Sequence, residues 1–93
     1  AVLRDIDLIQ TLKGHAGAVR AVKFSPDGSR IASGGSDGAI RVWAVDDGRE
    51  IVVLCDGEAA LHSVALHDLT FSPDGSQIAA AGAAGVVRVW AVS

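Results

Sequence analysis

The stretch FSPDGS at residues 24–29 recurs unchanged at residues 71–76, which is 47 residues further along the chain. The same offset carries RVWAV at residues 41–45 onto RVWAV at residues 88–92 without a gap. The same residue types therefore recur at a fixed spacing over most of the chain. Self-similarity at a period of this size is typical of repeat architectures, in which each repeat is one supersecondary unit.

The two repeats differ in length at one place. Leu12 matches Leu54 at an offset of 42 rather than 47, so the second repeat carries five extra residues near 56–60. The predicted repeats are about 8–49 and about 50–93. We expect the two repeats to form a single module.

Apolar runs within each repeat are short and rich in valine and isoleucine, and turn-forming residues separate them every eight to twelve residues or so. This spacing predicts an all-β chain built from hairpins. The ring of Pro26 presets φ and Gly28 adopts a positive φ at little cost, so FSPDGS is predicted to be a turn between two strands. The eight predicted strands are 8–12, 19–25, 30–34, 40–45, 50–54, 66–72, 77–81 and 86–92.

The composition excludes several classes of protein. With 49% hydrophobic and 20% charged residues, the chain is too apolar for a disordered segment. The longest aliphatic run is the four residues 51–54, far below the roughly 18 that a membrane helix needs. A net charge of -3 provides no basic surface for nucleic acid. The single cysteine, Cys55, cannot form an internal disulfide, and residues 1–8 lack the pattern of a secretory signal, so we expect a cytoplasmic protein.

Several motifs fall at fixed distances in the first repeat: GH at residues 14–15, FSPDGS at 24–29, ASGGSDG at 32–38 and VW at 42–43. This pattern resembles a blade of a WD-repeat (WD40) β-propeller, and it covers nearly the whole chain, twice. One departure is that alanine follows both tryptophans, where the dipeptide that names the family has aspartate. The resemblance implies an all-β fold with two four-stranded antiparallel blades.

The resemblance also implies a hydrogen-bonded tetrad that locks each blade. The first repeat supplies all four members, which are His15, Ser33, Asp37 and Trp43. The second repeat keeps a partial tetrad, His62 and Trp90, and has Ala80 and Ala84 at the other two positions. Because a methyl group neither donates nor accepts such a bond, we expect the second blade to be the looser one.

A propeller needs about four to eight blades, and residues 1–93 supply two. We therefore expect head-to-tail oligomerisation to complete the propeller, in a ring of four or three identical chains. In such a ring the strand at 8–12 would pair with 86–92 of a neighbouring chain. The alternative is a fragment of a longer WD40 propeller that binds a protein or peptide partner. The sequence leaves open whether the module is natural or engineered.

Residues that could carry chemistry are few. Cys55, His62, His67 and Asp68 lie close in the sequence, but they lack the paired spacing of zinc ligands. The glycine-rich run at 34–38 lacks the lysine of a phosphate-binding loop and is interpreted as a turn. We expect no enzyme activity, no cofactor and no metal site.

The resemblance implies a structural or protein-interaction scaffold, which binds itself or a protein or peptide on one face of the propeller. We expect neither nucleic acid nor a membrane as a partner. The positions that the family pattern places on that face are Ala16, Ala18, Ser36, Ser63, Ala65 and Ala83. The extra residues of the second repeat add Glu58 and Leu61 as further candidate contacts. The first six positions are small and lack the aromatic and arginine anchors that dominate interface energies, which argues against a strong peptide site there.

Overall fold

Two antiparallel β-sheets form the described part of the chain. The computed structural model describes residues 8–36, 38–54, 66–82, 85 and 87–92, and no helix occurs within them. The strands are β1 (Val19–Phe24), β2 (Arg30–Gly35), β3 (Ile40–Ala44), β4 (Glu50–Leu54), β5 (Leu66–Phe71), β6 (Gln77–Gly82) and β7 (Val87–Ala91). The first sheet has the order β1-β2-β3-β4, and the second has the order β5-β6-β7. The predicted all-β class with two antiparallel sheets is confirmed. Of the four strands predicted for each blade, four are found in the first sheet, and the described residues form three in the second.

The prediction of a strand at 8–12 is wrong for this structure. Residues 8–12 lie outside the strands, and Leu8 and Ile9 are 83% and 78% exposed. The side-chain amide of Gln10 donates a hydrogen bond of 3.1 Å to the main-chain carbonyl of Asp46, so the segment lies beside the turn between β3 and β4. An apolar run becomes a strand only where another strand offers its N–H and C=O groups, and this segment contacts a turn instead.

The FSPDGS stretches form the β1–β2 and β5–β6 turns through the same hydrogen bonds. The carboxylate of Asp27 accepts bonds from the hydroxyl of Ser25 at 2.8 Å and from the main-chain N–H and hydroxyl of Ser29 at 3.0 and 2.8 Å. The equivalent bonds recur at Asp74. Gly28 has a φ of 79°, which glycine adopts without a steric penalty. The prediction of a turn at each FSPDGS stretch is confirmed.

These bonds predict that the folded chain loses stability in acid. The main-chain N–H of the following serine, together with two serine hydroxyls, lowers the pKa of Asp27 and of Asp74 from 3.8 to about 2. A carboxyl group with a lowered pKa stabilises the folded state above its unfolded pKa, and that contribution is lost as the pH falls through the folded pKa. We expect the urea concentration at the midpoint of unfolding to decrease as the pH is lowered from about 4 to about 2.

The control for this prediction is the double variant Asp27→Asn, Asp74→Asn, which has no carboxyl group to protonate in either turn. Its urea midpoint should change less than that of the parent over the same pH range. A midpoint that changes equally in both proteins would contradict the assignment of acid sensitivity to these turns.

The core lies between the two sheets. Successive side chains on a strand point to opposite faces, so the strand registers define which residues share a face. The packed face of the first sheet is formed by Ala21, Ala32, Gly34, Ile40 and Val42. The packed face of the second sheet is formed by Leu66, Leu69, Ile78 and Ala80, with Phe71 and Trp90 partly buried against them.

Gly34 determines how closely the two sheets approach each other. A Cβ atom at this position would lie 2.9 Å from Leu66 Cδ1 and 3.2 Å from Leu69 Cδ2. These distances are shorter than an ordinary carbon–carbon contact of about 3.5–4.0 Å, so the two leucines pack directly on the backbone of β2. Arg30 adds a polar link between the sheets, because its Nη1 donates a hydrogen bond of 3.1 Å to the carbonyl of Val92.

Candidate functional site

A buried hydrogen-bonded cluster lies on the face of the first sheet that is turned away from the second sheet. Ser33 pairs with Arg41 and Ile31 pairs with Trp43, so Ser33 and Trp43 are diagonal neighbours on one face. Trp43 Nε1 donates to Ser33 Oγ at 2.8 Å, and a hydrogen bond of 2.7 Å joins Ser33 Oγ to His15 Nε2. Ser33 and Trp43 are both buried. The cluster therefore ties the segment before β1 to β2 and β3.

The glycine before His15 packs closely onto this cluster. A Cβ atom at Gly14 would lie 3.0 Å from Trp43 Cη2 and 3.4 Å from Glu50 Oε2. The same Glu50 oxygen accepts a hydrogen bond of 2.6 Å from Arg41 Nη1. Both charged side chains are partly exposed, so this ion pair contributes about 0–1 kcal/mol. The contacts extend the cluster from the N-terminal loop to β4, and its arrangement serves to hold the loop in place.

Both internal repeats match the sequence model of one protein family. Residues 6–44 and 54–91 match the sequence model described as WD domain, G-beta repeat. The chain belongs to the WD40 repeat family. The resemblance predicted from the sequence motifs is confirmed, and the two sheets are consistent with two WD40 blades.

Relatives of this WD40 chain include proteins that are much longer. The ribosome biogenesis protein ERB1 of Yarrowia lipolytica is 54% identical over 41 residues, which are 44% of this chain and 5% of ERB1. The small ribosomal subunit protein RACK1 of Medicago sativa is 42% identical over 62 residues, which are 67% of this chain and 19% of RACK1. RACK1y of Oryza sativa subsp. japonica is 44% identical over 62 residues, or 18% of its length. The chain thus matches about a fifth or less of each relative.

The structure brings together three residues of the tetrad predicted for the first blade. His15, Ser33 and Trp43 are hydrogen-bonded as described above. Asp37 lies outside the described residues, so its membership stays a prediction.

The second blade differs from the first at the position of the serine. Ala80 pairs with Arg88 and Ile78 pairs with Trp90, which is the register of the first blade. Ala80 is buried and Trp90 is only partly buried, so a methyl group stands where the first blade has its hydroxyl. His62 and Ala84 lie outside the described residues, and the prediction of a looser second blade therefore remains a prediction.

Three of the predicted partner-facing positions can be located. Ala16 and Ala18 are exposed, and Ser36 is half-buried. The main-chain N–H of Ala18 donates to Ser36 Oγ at 2.9 Å, and the main-chain N–H of Ser36 donates to the carbonyl of Ala18 at 3.0 Å. The sequence analysis did not foresee this reciprocal pair, which fixes the two loops relative to each other. The other predicted positions, which lie outside the described residues, are Ser63, Ala65, Ala83, Glu58 and Leu61.

Two of the four residues considered for a catalytic or metal site lie among the described residues. His67 and Asp68 are exposed on β5, and the carboxylate of Asp68 accepts a hydrogen bond of 2.9 Å from the main-chain N–H of Leu69. Cys55 and His62 lie outside the described residues. In the part of the chain that the structure describes, no group of three or more His, Cys, Asp or Glu side chains could hold a metal ion. The same part has no helix with the length and hydrophobicity to cross a membrane.

The serine in the cluster gives a direct test of its stabilising role. We expect Ser33→Ala to lower the free energy of unfolding by about 1–3 kcal/mol, because the indole N–H of Trp43 would remain buried without its acceptor. Ala80→Ser makes the reverse change at the equivalent position in the second blade and should raise the free energy of unfolding by about 0.5–1.5 kcal/mol. Urea unfolding followed by circular dichroism measures both. A lower free energy of unfolding in both variants would show that a serine at this position does not stabilise the second blade as it does the first.

Proposed function

We propose that the chain is a WD40 protein-interaction module that contributes two blades to a longer propeller scaffold and acts by binding rather than catalysis. The main support is the pair of uncovered faces: Phe24 on the first sheet is 62% exposed, and Val87 and Val89 on the second are 68% and 60% exposed. Exposed apolar surface of this kind marks a site of contact with another structure. The length of the relatives agrees with this proposal, because the chain matches only 5% of ERB1 and 19% of RACK1.

The partner is proposed to bind the loop edge, which is defined here by Ala16, Ala18 and Ser36. The two hydrogen bonds between Ala18 and Ser36 hold the loops in a fixed arrangement, and a preorganised surface loses less entropy on binding. In the sequence, Ser63, Ala65 and Ala83 are the proposed equivalents in the second blade, and Glu58 and Leu61 are proposed to extend the surface.

Two of the matched relatives are named as a ribosomal protein and a ribosome biogenesis protein, so ribosomal particles are the first partners to test. Purified small ribosomal subunits would be incubated with the 93-residue chain and recovered by sedimentation. We expect Ala18→Glu to raise the dissociation constant, measured from co-sedimentation over a series of subunit concentrations, at least about tenfold, which corresponds to about 1.4 kcal/mol of binding free energy. Cytoplasmic localisation is proposed together with this partner.

The matched control is Thr11→Glu, which also introduces one negative charge at an exposed position. Residues 10–12 lie beside the turn between β3 and β4. This turn is at the opposite end of the strands from the loop edge. This variant should bind like the parent chain. Equal losses in both variants would indicate a general charge effect and would contradict binding at the loop edge.

A second candidate function is self-assembly, in a head-to-tail ring of four or three identical chains. The observation that favours it is that the uncovered faces lie on opposite sides of the two-sheet stack, as heterologous association requires. Self-assembly and membership of a longer propeller both cover these faces with another WD40 blade.

A further inference from the structure

A cavity of about 360 Å³ lies between the β1–β2 turn and the β3–β4 turn of the first sheet. We call it the turn cavity and define it by Ser29 and Arg30 on one side and by Val45, Asp46 and Arg49 on the other. Its volume falls within the range of about 300–1,000 Å³ that is typical of ligand sites. The main-chain N–H of Val45 donates to the carbonyl of Ser29 at 3.0 Å, so the two sides are held at a fixed separation. A cavity with fixed walls loses little entropy when a ligand group enters it.

Arg30 lines this cavity with most of its hydrogen-bonding capacity unused. A guanidinium group has five N–H donors and no acceptor. Arg30 uses one of them, in the bond from Nη1 to the carbonyl of Val92, and it forms no ion pair within the described residues. Its other nitrogens reach solvent, because Arg41 Nε is the only side-chain nitrogen or oxygen in that part of the chain that is both buried and without a partner. Arg30 therefore presents free donors to a group that enters the cavity.

Two cavities meet at Arg30, and their charges differ. The other cavity, of about 410 Å³, lies between the two FSPDGS turns and combines Arg30 with the carboxylates of Asp27 and Asp74. The turn cavity has the opposite balance, with the guanidinium groups of Arg30 and Arg49 against the single carboxylate of Asp46. Like charges repel and opposite charges attract, so an anionic group favours the turn cavity over its neighbour.

Arg49 is held in place as a second donor. Its Nη1 donates to Asp47 Oδ2 at 2.8 Å, and its main-chain N–H donates to Asp47 Oδ1 at 3.1 Å. With Asp47 included, the charges of Arg30, Arg49 and the two aspartates sum to zero. The site therefore lacks the excess of positive charge that a phosphoryl group, with a charge of about -2, would need. A carboxylate has a single charge and two oxygens that match the fork of an arginine side chain.

The internal repeat shows that the arginine at position 30 is not needed to form the turn. The residues of the cavity wall that recur unchanged at the offset of 47 are Gly28, Ser29, Ala44 and Val45. Arg30 instead becomes Gln77. The main-chain N–H of Arg30 donates to Ser25 Oγ at 3.1 Å. The main-chain N–H of Gln77 donates to Ser72 Oγ at 3.0 Å, so glutamine supports the same turn. The wall is common to both repeats, and the positive charge is particular to the first.

We propose that the turn cavity binds the carboxylate of an acidic side chain in a partner peptide, with Arg30 as the principal donor and Arg49 as the second. Ala44 and Ile51 complete the lining and would contact the methylene groups of that side chain. The β1–β2 turn lies at the opposite end of β1 from Ala18, so this site is separate from the loop edge. It goes beyond the proposed function, and either site can fail without the other.

The probe is a blocked peptide of alternating glycine and glutamate residues, and its control has glutamine in place of every glutamate. The control peptide has nearly the same shape but carries no charge. Titration of the isotopically labelled chain with the glutamate peptide should move the amide NMR signals of Ser29, Val45 and Arg49 to saturation, and the glutamine peptide should leave them unchanged. At about 0.15 M salt the Debye length of about 8 Å screens the repulsion from the net charge of -3.

Arg30→Gln removes the principal donor and introduces the residue that the second repeat has at the equivalent position. The dissociation constant of the glutamate peptide should rise at least about tenfold, because hydrogen bonds between charged groups are the strong ones. Arg20→Gln is the matched control, since it removes the same charge from an exposed position at the other end of β1. It should bind within about twofold of the parent, because a distant exposed charge is screened. Ala18→Glu, which alters the loop edge, should also bind like the parent.

A second variant keeps the test valid if Arg30→Gln disturbs the contact between the two sheets. Arg49→Gln changes an exposed side chain whose described partner is Asp47, and it leaves that contact intact. Its circular dichroism and urea midpoint should stay close to those of the parent, because an exposed ion pair contributes little to stability. The dissociation constant of the glutamate peptide should rise at least about threefold.

Four results would overturn the proposal. Equal affinity for the glutamate and glutamine peptides would show that the carboxylate is not recognised. Equal weakening in Arg30→Gln and Arg20→Gln would indicate a general charge effect, and parent affinity in both Arg30→Gln and Arg49→Gln would remove the arginines from the site. Signals that move at the loop edge instead of the turn cavity would place the binding elsewhere. A phosphoserine peptide that binds at least about tenfold more tightly than the glutamate peptide would show that the site selects a phosphoryl group.

Discussion

Gly35→Ala is expected to lower the free energy of unfolding by about 3 kcal/mol, near the upper end of the usual cost of overpacking. A Cβ atom at Gly35 would overlap the carbonyl oxygen of Ala18 and would lie 2.9 Å from its carbonyl carbon and 3.0 Å from Val19 Cα. All three are backbone atoms, so no rotamer change can relieve the overlap. The backbone would have to move at the point where β1 bulges between Val19 and Ala21.

The movement would also break the contacts that arrange the loop edge. The N–H of Ser36 donates to the same carbonyl of Ala18, and the hydroxyl of Ser36 accepts from the N–H of Ala18. We therefore expect Gly35→Ala to reduce partner binding as well as stability. Urea unfolding and the co-sedimentation assay measure the two effects separately.

Gly28→Ala is the matched control for this prediction. Gly28 has a φ of 79° and no atom within 4 Å of the position where a Cβ would be. The alanine would only adopt a left-handed backbone conformation, which costs roughly 1–2 kcal/mol. If Gly28→Ala proved as destabilising as Gly35→Ala, the steric overlap with Ala18 would not be the cause.

The sequence predicted most strands of this fold because their signals are local. The short apolar runs and the FSPDGS turns predicted seven strands at the positions where they occur. The segment 8–12 has the same apolar character but forms no strand, because pairing depends on a neighbour that the sequence pattern does not specify. The cluster of His15, Ser33 and Trp43 was predictable only through the family pattern, since 18 residues separate the histidine from the serine.

Other features depend on register and could not be predicted from composition or spacing. The need for glycine at position 35 follows from a bulge that places it against Ala18, and a glycine in a strand does not by itself indicate such a contact. The faces that pack together were also not predictable. Both faces of both sheets carry apolar residues, and only the arrangement of the sheets shows that Leu69 is covered while Val22, its equivalent, is exposed.

Trp43→Ala and Trp90→Ala are expected to have unequal effects, although the two residues occupy equivalent positions 47 residues apart. Trp43 is 3% exposed and donates its indole N–H to Ser33, so its removal should cost about 3–5 kcal/mol. Trp90 is only partly buried, and the residue equivalent to that serine is Ala80. Removing Trp90 should cost about 1–2 kcal/mol, because less apolar surface is lost from the core.

Urea unfolding followed by circular dichroism would compare these variants without relying on tryptophan emission. The emission of the remaining tryptophan then gives an independent observation. Trp43, which remains in Trp90→Ala, should emit at a shorter wavelength than Trp90, which remains in Trp43→Ala, because its indole is shielded from water. Equal losses of stability, or a larger loss for Trp90→Ala, would show that the hydrogen bond to Ser33 does not determine which blade is the more stable. If this inequality is measured, the more stable half of the module is the blade that also carries the Ala18–Ser36 pair, and we then expect the loop edge to be held by the blade that opens last.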